Sequence, residues 1–220
     1  MTEPPQTHKL AGRRLYLCTP DRHDLEAFVE ACISGGVDIV QLREKQLEAR
    51  QLIERARLCR RVCADHDVPF ILNDRPDLAL EVEADGVHVG QDDAPPSLAR
   101  QILGSGKIVG LSTHAPLELA SALAEPVDYL SAGPVVATPT KPGRPGTGLA
   151  YLSQAADACD GARMPMFATG DARPATVSAL VQAGARRVVA VRWLTEAEDP
   201  RGAAQALREA LDKAIEEAES

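Results

Sequence analysis

The chain has 220 residues, 45% of them hydrophobic, which is enough for one substantial core and too few for two domains of ordinary size. Its 24 basic against 32 acidic residues give a formal net charge of -8, and such a surface repels nucleic-acid backbones and anionic lipid headgroups, so neither is an expected partner. No stretch reaches the roughly 18 continuous apolar residues of a membrane-spanning helix, and Met1–Leu10, with Pro4, Pro5, Gln6, Thr7 and His8, lacks the apolar run of a secretory leader.

Residues 1–12 read as a loose, flexible polar tail, and 13–220 as one domain. The first apolar run, Leu15–Cys18, is followed by a helical pattern over Leu25–Ser34, closed by Gly35-Gly36. Next come a run at Ile39–Leu42, a helix over Ala49–Ala64, and runs at Phe70–Leu72 and Val87–Val89. A helix at Leu98–Leu103, a run at Ile108–Leu111, a helix at Leu117–Ala124 and a run at Tyr129–Ala132 continue the alternation. After the Thr-, Pro-, Gly- and Lys-rich loop Val135–Gly148 come a run at Met166–Ala168 and a helix at Ala175–Ala183 that opens after Pro174 and closes at Gly184. The run Val188–Val191 and a helix at Ala203–Ala218, opened by Pro200, complete the chain. Each run has the length of a buried parallel strand, and eight strand–helix units in this length predict an α/β fold, a single (β/α)8 barrel. An open doubly wound sheet is the alternative, but no dinucleotide-type glycine fingerprint follows any strand.

The five cysteines are odd in number and match no zinc spacing; Cys59 and Cys63, four apart on a helix, read as core thiols. A reducing compartment, the cytoplasm, follows as the expectation.

In a (β/α)8 barrel the chemistry collects where strands end, because the βα loops form that rim. The second strand runs into Gln41-Leu42-Arg43-Glu44-Lys45, the third into Asn73-Asp74 and the fourth into Gly90-Gln91-Asp92-Asp93. The fifth ends in Ser112-Thr113-His114, and the sixth feeds Thr138-Pro139-Thr140-Lys141; the opposite strand ends carry nothing comparable in sequence. Arg43, Lys45 and Lys141 are cations on an acidic protein, while Asp74 and Asp93 close adjacent strands and can converge. Hard oxygen ligands beside cations suit a magnesium ion bridging a di- or triphosphate. Rim salt bridges, Arg43 to Asp74 or Lys45 to Asp93, are the structural alternative. His88, within a strand, reads as a satisfied core histidine, and His114 stands between rim packing and substrate contact.

These segments, with Asn73-Asp74-Arg75, the stretch from Ala84 to Asp93, Gly110–His114 and Gly133-Pro134, make the chain resemble the thiamine-phosphate synthase family from Arg14 to about Leu211. The resemblance implies a transferase that joins 4-amino-2-methyl-5-hydroxymethylpyrimidine diphosphate to a thiazole phosphate, or its carboxylated form, through a pyrimidine cation. It implies pyrimidine-diphosphate contacts from Gln41, Leu42, Arg43, Glu44, Lys45, Asn73, Ser112 and Lys141, with Arg43, Lys45 and Lys141 catalytic. It implies Mg2+ on Asp74 and Asp93, and thiazole-phosphate contacts from Thr138, Pro139, Thr140, Gly170, Asp171, Val191 and Arg192. Small-molecule substrates are the implied partners, and exposed helix faces allow a homodimer.

Two positions depart from the family pattern. A Gly-Gly pair is usual after the seventh strand, where this chain has Gly170-Asp171; a small hydroxyl residue is usual after the eighth, where it has Val191-Arg192-Trp193. Asp171 adds a like charge where phosphate is expected, and Arg192 either takes the phosphate or pairs with Asp171. Trp193 reads as barrel-to-helix packing. A thiazole-isomerising relative and a non-catalytic phosphate-binding barrel are the competing functions.

Overall fold

The eight apolar runs have both faces to bury, and a sheet covered by helices on one side and closed upon itself on the other does so. The computed structural model, which describes residues 9–138 and 145–220, shows that solution: a closed parallel barrel in the order β1-β2-β3-β4-β5-β6-β7-β8. The strands are β1 (Leu15–Thr19), β2 (Ile39–Leu42), β3 (Phe70–Asn73), β4 (Gly86–Val89), β5 (Ile108–Thr113), β6 (Tyr129–Ala132), β7 (Met166–Ala168) and β8 (Val188–Ala190). Around them lie α1 (Leu25–Ser34), α2 (Ala49–Asp65), α3 (Pro76–Glu81), α4 (Pro96–Leu103), α5 (Pro116–Ala122), α6 (Gly148–Gly161), α7 (Val177–Gln182), α8 (Arg192–Thr195) and α9 (Pro200–Glu219).

Strand alternation divides the core in two. Outward residues such as Leu17, Val40, Leu72 and Val87 pack against the helices in the larger cluster. Inward residues fill the barrel in levels: Ile39, Ile71 and Ile108 at the N-terminal end, then Tyr16, Tyr129 and Phe167 packed edge to face at 5.3–6.0 Å. Above these, inward positions turn polar, with Gln41, Asn73, His88, Ser112 and Ser131 all buried. Gly110 makes the aromatic level possible, since a Cβ there would lie 2.1 Å from Tyr129 Cζ.

The lower end is closed by a residue the sequence reading had placed in the loose tail. Leu10 is 0% exposed and joins the inward isoleucines, so this residue at least is docked rather than loose. A lone leucine between Lys9 and Ala11 has no periodicity to betray this role, but an open barrel floor would leave the isoleucines wet. The strand starts also carry more than the sequence suggested. Asp38, Asp85 and Asp128, each one residue before an even-numbered strand, accept amide protons from Leu15, Phe70 and Val109 on the preceding strand. Each is matched by an arginine: Arg208 at 2.7 Å from Asp38, Arg60 at 3.9 Å from Asp85 and Arg100 at 2.6 Å from Asp128. These pairs fasten strand ends and helices, which is a structural use of charge.

The five cysteines are free and buried, as core thiols should be. Burial pushes Cys32 and Cys59 up to about 12 and Cys159 to about 11, far from the thiolate that metal or redox work requires. Among the described residues no helix is long and apolar enough to cross a membrane.

Leu10→Ala is expected to cost about 2–5 kcal/mol of stability in urea unfolding, as other buried leucine truncations do. Leu117→Ala, at a side chain 84% exposed, should stay within about 0.5 kcal/mol. Equal, small effects would mean that Leu10 does not close the floor.

Candidate active site

The polar upper level of the barrel opens into a cavity of about 820 Å³, lined by residues within β1 and by residues in or just after the later strands. Backbone alternation decides which residues of the Gln41–Lys45 segment reach it. Gln41, Arg43 and Lys45 line the cavity; Leu42, one step out of phase, is fully buried in the cluster between barrel and helices. Glu44 is likewise off the cavity wall, its Oε1 accepting the Gln46 amide at 2.8 Å. Leu42 and Glu44 therefore bring no side chain to the cavity wall: a strand offers every second residue to one face.

Asp74 and Asp93 meet as expected, with Lys45 between them: its Nζ lies 2.7 Å from Asp74 Oδ2 and 3.8 Å from Asp93 Oδ1. The alternative of a Lys45–Asp93 rim bridge is thus present as one edge of a three-membered cluster. Asp74 is held in the left-handed region at φ 63°, and Asp93 is fixed by the Gly90 amide at 2.8 Å. Burial raises Asp74, and the facing Asp93 adds to the rise against Lys45. Burial alone would raise Asp93 too, but Asp74, the Gly90 amide, Lys45 and Arg43 outweigh it and Asp93 ends low. Two carboxylates this close need positive charge between them. Among the described residues they form no cluster of three or more His, Cys, Asp or Glu. One or two carboxylates completed by ligand phosphates is the donor set that Mg2+ accepts, so the residues fit that ion.

Two donors on the wall stand ready for an anion. Asn73 Nδ2 is buried without a hydrogen-bond partner. The Arg43 guanidinium makes no hydrogen bond or close ion pair among the described residues, although its charge acts on Asp93. Ser112 and Thr138 also line the cavity, while Pro139, Thr140 and Lys141 lie outside the described residues.

Gly170, Asp171, Val191 and Arg192 form the opposite wall. Gly170 adopts φ 102°, and a Cβ there would sit 2.4 Å from the Val135 amide nitrogen, so no other residue fits. Asp171 does not pair with Arg192. Its carboxylate is held by Arg173 Nε at 3.0 and 3.1 Å, a residue the sequence reading missed. The pair forms because Asp171 turns back at φ 60°, a backbone detail that a motif does not reveal. The charge that Asp171 brings to the wall is thereby balanced on the spot. Val191, expected in the last strand, lies just past it and precedes α8, whose first residue is Arg192. Trp193 donates from Nε1 to the Ala203 carbonyl at 2.9 Å, tying α8 to α9 as packing would, yet it also lines the cavity. His88 is satisfied in the core, Nδ1 at 2.9 Å from Tyr129 Oη and Nε2 at 2.8 Å from Ser112 Oγ. His114 has its Nδ1 at 3.0 Å from Glu118 and also lines the cavity.

A deep, cation-edged cavity at the C-terminal rim, with paired carboxylates on one side, defines a barrel enzyme that takes anionic substrates. Comparison with known proteins narrows the class. The family model described as thiamine monophosphate synthase matches residues 15–194. A thiamine-phosphate synthase of Saccharopolyspora erythraea is 47% identical over 212 residues, covering 92% of this chain and 95% of that protein. A thiamine-phosphate synthase of Nostoc punctiforme is 44% identical over 94% of this chain, which spans 59% of that longer relative. The solved thiamine phosphate pyrophosphorylase of Pyrococcus furiosus superposes with a TM-score of 0.84 at 27% identity, covering 96% of this chain and 99% of that one. The chain belongs to the thiamine monophosphate synthase family, and with that membership it is a transferase of thiamine biosynthesis.

Lys45 is 51% exposed, so its bridges add little to the fold: Lys45→Ala should change folding stability by no more than about 1 kcal/mol. A loss of several kcal/mol in thermal unfolding would instead make the cluster structural.

Proposed function

We propose that the chain joins 4-amino-2-methyl-5-hydroxymethylpyrimidine diphosphate to a thiazole phosphate, giving thiamine phosphate and pyrophosphate. The observation that carries this reading is the Lys45–Asp74–Asp93 cluster beside the Asn73 amide and the Arg43 guanidinium, neither of them paired among the described residues, at one mouth of one cavity. Asp74 and Asp93 would hold Mg2+, which when bound would share the negative charge of the diphosphate. Gln41 and Ser112 line the part of the wall that would face the pyrimidine, and Arg43, Lys45 and Asn73 reach the diphosphate; Lys141 has the same assignment from its motif.

In the reaction the carbon–oxygen bond to the diphosphate breaks first, and the leaving group keeps the electron pair. The resonance-stabilised pyrimidine cation left behind is attacked by the lone pair of the thiazole nitrogen, so no general base is needed. Charge builds on the leaving oxygens, and fixed cations stabilise that state more than the ground state. The acceptor phosphate falls to the opposite wall, where Gly170 leaves its backbone open to close approach and Arg192 offers a bidentate fork. Thr138, Pro139 and Thr140 complete that assignment. With Asp171 neutralised by Arg173, the one residue that argued for a non-catalytic barrel loses its force. The five free thiols support a reducing compartment, and we assign the enzyme to the cytoplasm.

Product formation from both substrates should stop with a chelator, return with Mg2+, and be lost in Asp93→Ala; turnover that ignores the chelator would refute the metal assignment. Arg43→Ala should lower kcat by about 10- to 1000-fold, by analogy with lost oxyanion donors. Arg192→Ala should raise KM for the thiazole phosphate and leave KM for the pyrimidine diphosphate unchanged; an unaltered acceptor KM would remove Arg192 from the site.

A further inference from the structure

Beneath the cavity a chain of buried polar groups crosses the barrel. Gln41 Nε2 donates to Tyr16 Oη at 2.8 Å, and Gln41 Oε1 accepts from the Cys18 thiol at 3.2 Å. Tyr16 Oη lies 2.9 Å from Tyr129 Oη, which lies 2.9 Å from His88 Nδ1. His88 Nε2 lies 2.8 Å from Ser112 Oγ, and Ser131 Oγ donates to Ser112 at 3.3 Å. The two ends, Gln41 and Ser112, are cavity-lining residues on opposite sides; the tyrosines and the histidine between them have no part in the chemistry above.

Counting protons gives the chain a direction. Burial raises both phenols, so each keeps its one proton. Tyr16 already accepts from Gln41, and its proton finds an acceptor only in Tyr129. Tyr129 must then donate to His88 Nδ1, which leaves the imidazole proton on Nε2, aimed at Ser112. Reversing the order would require Gln41 to turn its amide over, setting its NH2 against the Cys18 thiol, a poor acceptor. Leaving any buried link unpaired costs more than a hydrogen bond gains.

We propose that Tyr16, Tyr129 and His88 form a one-directional hydrogen-bond relay that couples Gln41 to Ser112, so that the two recognise a single donor–acceptor pattern on the pyrimidine. The inference rests on the function proposed above and adds three positioning residues to it. It names the ring feature they select: a 4-aminopyrimidine against its 4-oxo analogue, which exchanges an amine donor for a carbonyl acceptor and a ring acceptor for an N–H donor. Neither end can adapt to the oxo ring alone, because five groups between and including them would have to reverse together.

The test compares kcat/KM for the 4-amino diphosphate with that for the 4-oxo diphosphate in the full-length enzyme with Mg2+. Tyr129→Phe and Tyr16→Phe keep the ring packing and cut the relay at different links. Each should lower the amino-to-oxo ratio by about tenfold or more, as expected when a polar site loses its fixed pattern, with KM for the thiazole phosphate unmoved. The double variant should be no less selective than either single one, because a cut chain cannot be cut again. An unchanged ratio, or losses that add, would overturn the relay while leaving the function intact. A wild-type enzyme that makes no product from the amino substrate would sink the functional reading and the relay with it. Should the phenylalanine variants fail to fold, nitrogen-15 NMR of His88 in the wild type decides: a single tautomer protonated on Nε2 supports the relay, and a mixture or an Nδ1 proton overturns it.

Discussion

The site depends on one steric accommodation, the ring of Tyr129 lying across Gly110. A closed barrel gives each strand an inward position at each level, and the interior holds few large side chains. Because position 110 contributes no side chain, Tyr129 can turn its hydroxyl upward to His88 while its ring stacks on the imidazole at 5.4 Å. Above that level Gln41, Asn73, His88, Ser112 and Ser131 are buried polar residues; below it Ile39, Ile71 and Ile108 are apolar. The aromatic level is thus both the roof of the core and the foundation of the cavity, and it insulates the isoleucine floor from the wet rim.

The electrostatics follow a similar division. At the N-terminal end each aspartate is matched with an arginine and a strand amide, so charge there is consumed by the fold. At the C-terminal end Lys45 is shared between two carboxylates, and Arg43 and Asn73 Nδ2 are left with binding capacity. On a chain of net charge -8 the mouth still gathers four cations, Arg43, Lys45, Arg173 and Arg192, which an anion can engage.

Much of the architecture was legible because apolar runs at strand spacing have few alternatives: seven of the eight runs lie within their strands, and only the last overshoots, at Val191. Three helices were left unread: α3 with six residues and α8 with four are too short to show a helical period, while the fourteen-residue α6 directly follows the long loop and was passed over with it. Gln41, Arg43, Lys45, Asn73, Asp74 and Asp93 were legible because chemistry-bearing residues sit at strand ends. That the side chains of Leu42 and Glu44 stay off the cavity wall was not legible, since a contiguous motif conceals the alternation of the strand that carries it. Arg173 was missed because its partnership depends on a left-handed turn at Asp171, and Leu10 because burial by distant isoleucines leaves no local pattern. What local sequence could not supply, in each case, was information held in backbone direction or long-range packing.

The pairing of β1 with β8 has a consequence for how the protein is made. β1 hydrogen-bonds to β2 on one side and to Val188–Ala190 on the other, and α9 packs on α1. A ribosome delivers Val188 long after Leu15, so throughout most of synthesis β1 presents a bare, apolar edge. Closure of the cylinder is the event that retires that edge, and it waits on the final strand. A nascent chain halted before residue 188 is therefore a half-open sheet with a sticky border, the form in which this sequence is most exposed to aggregation and most in need of a chaperone.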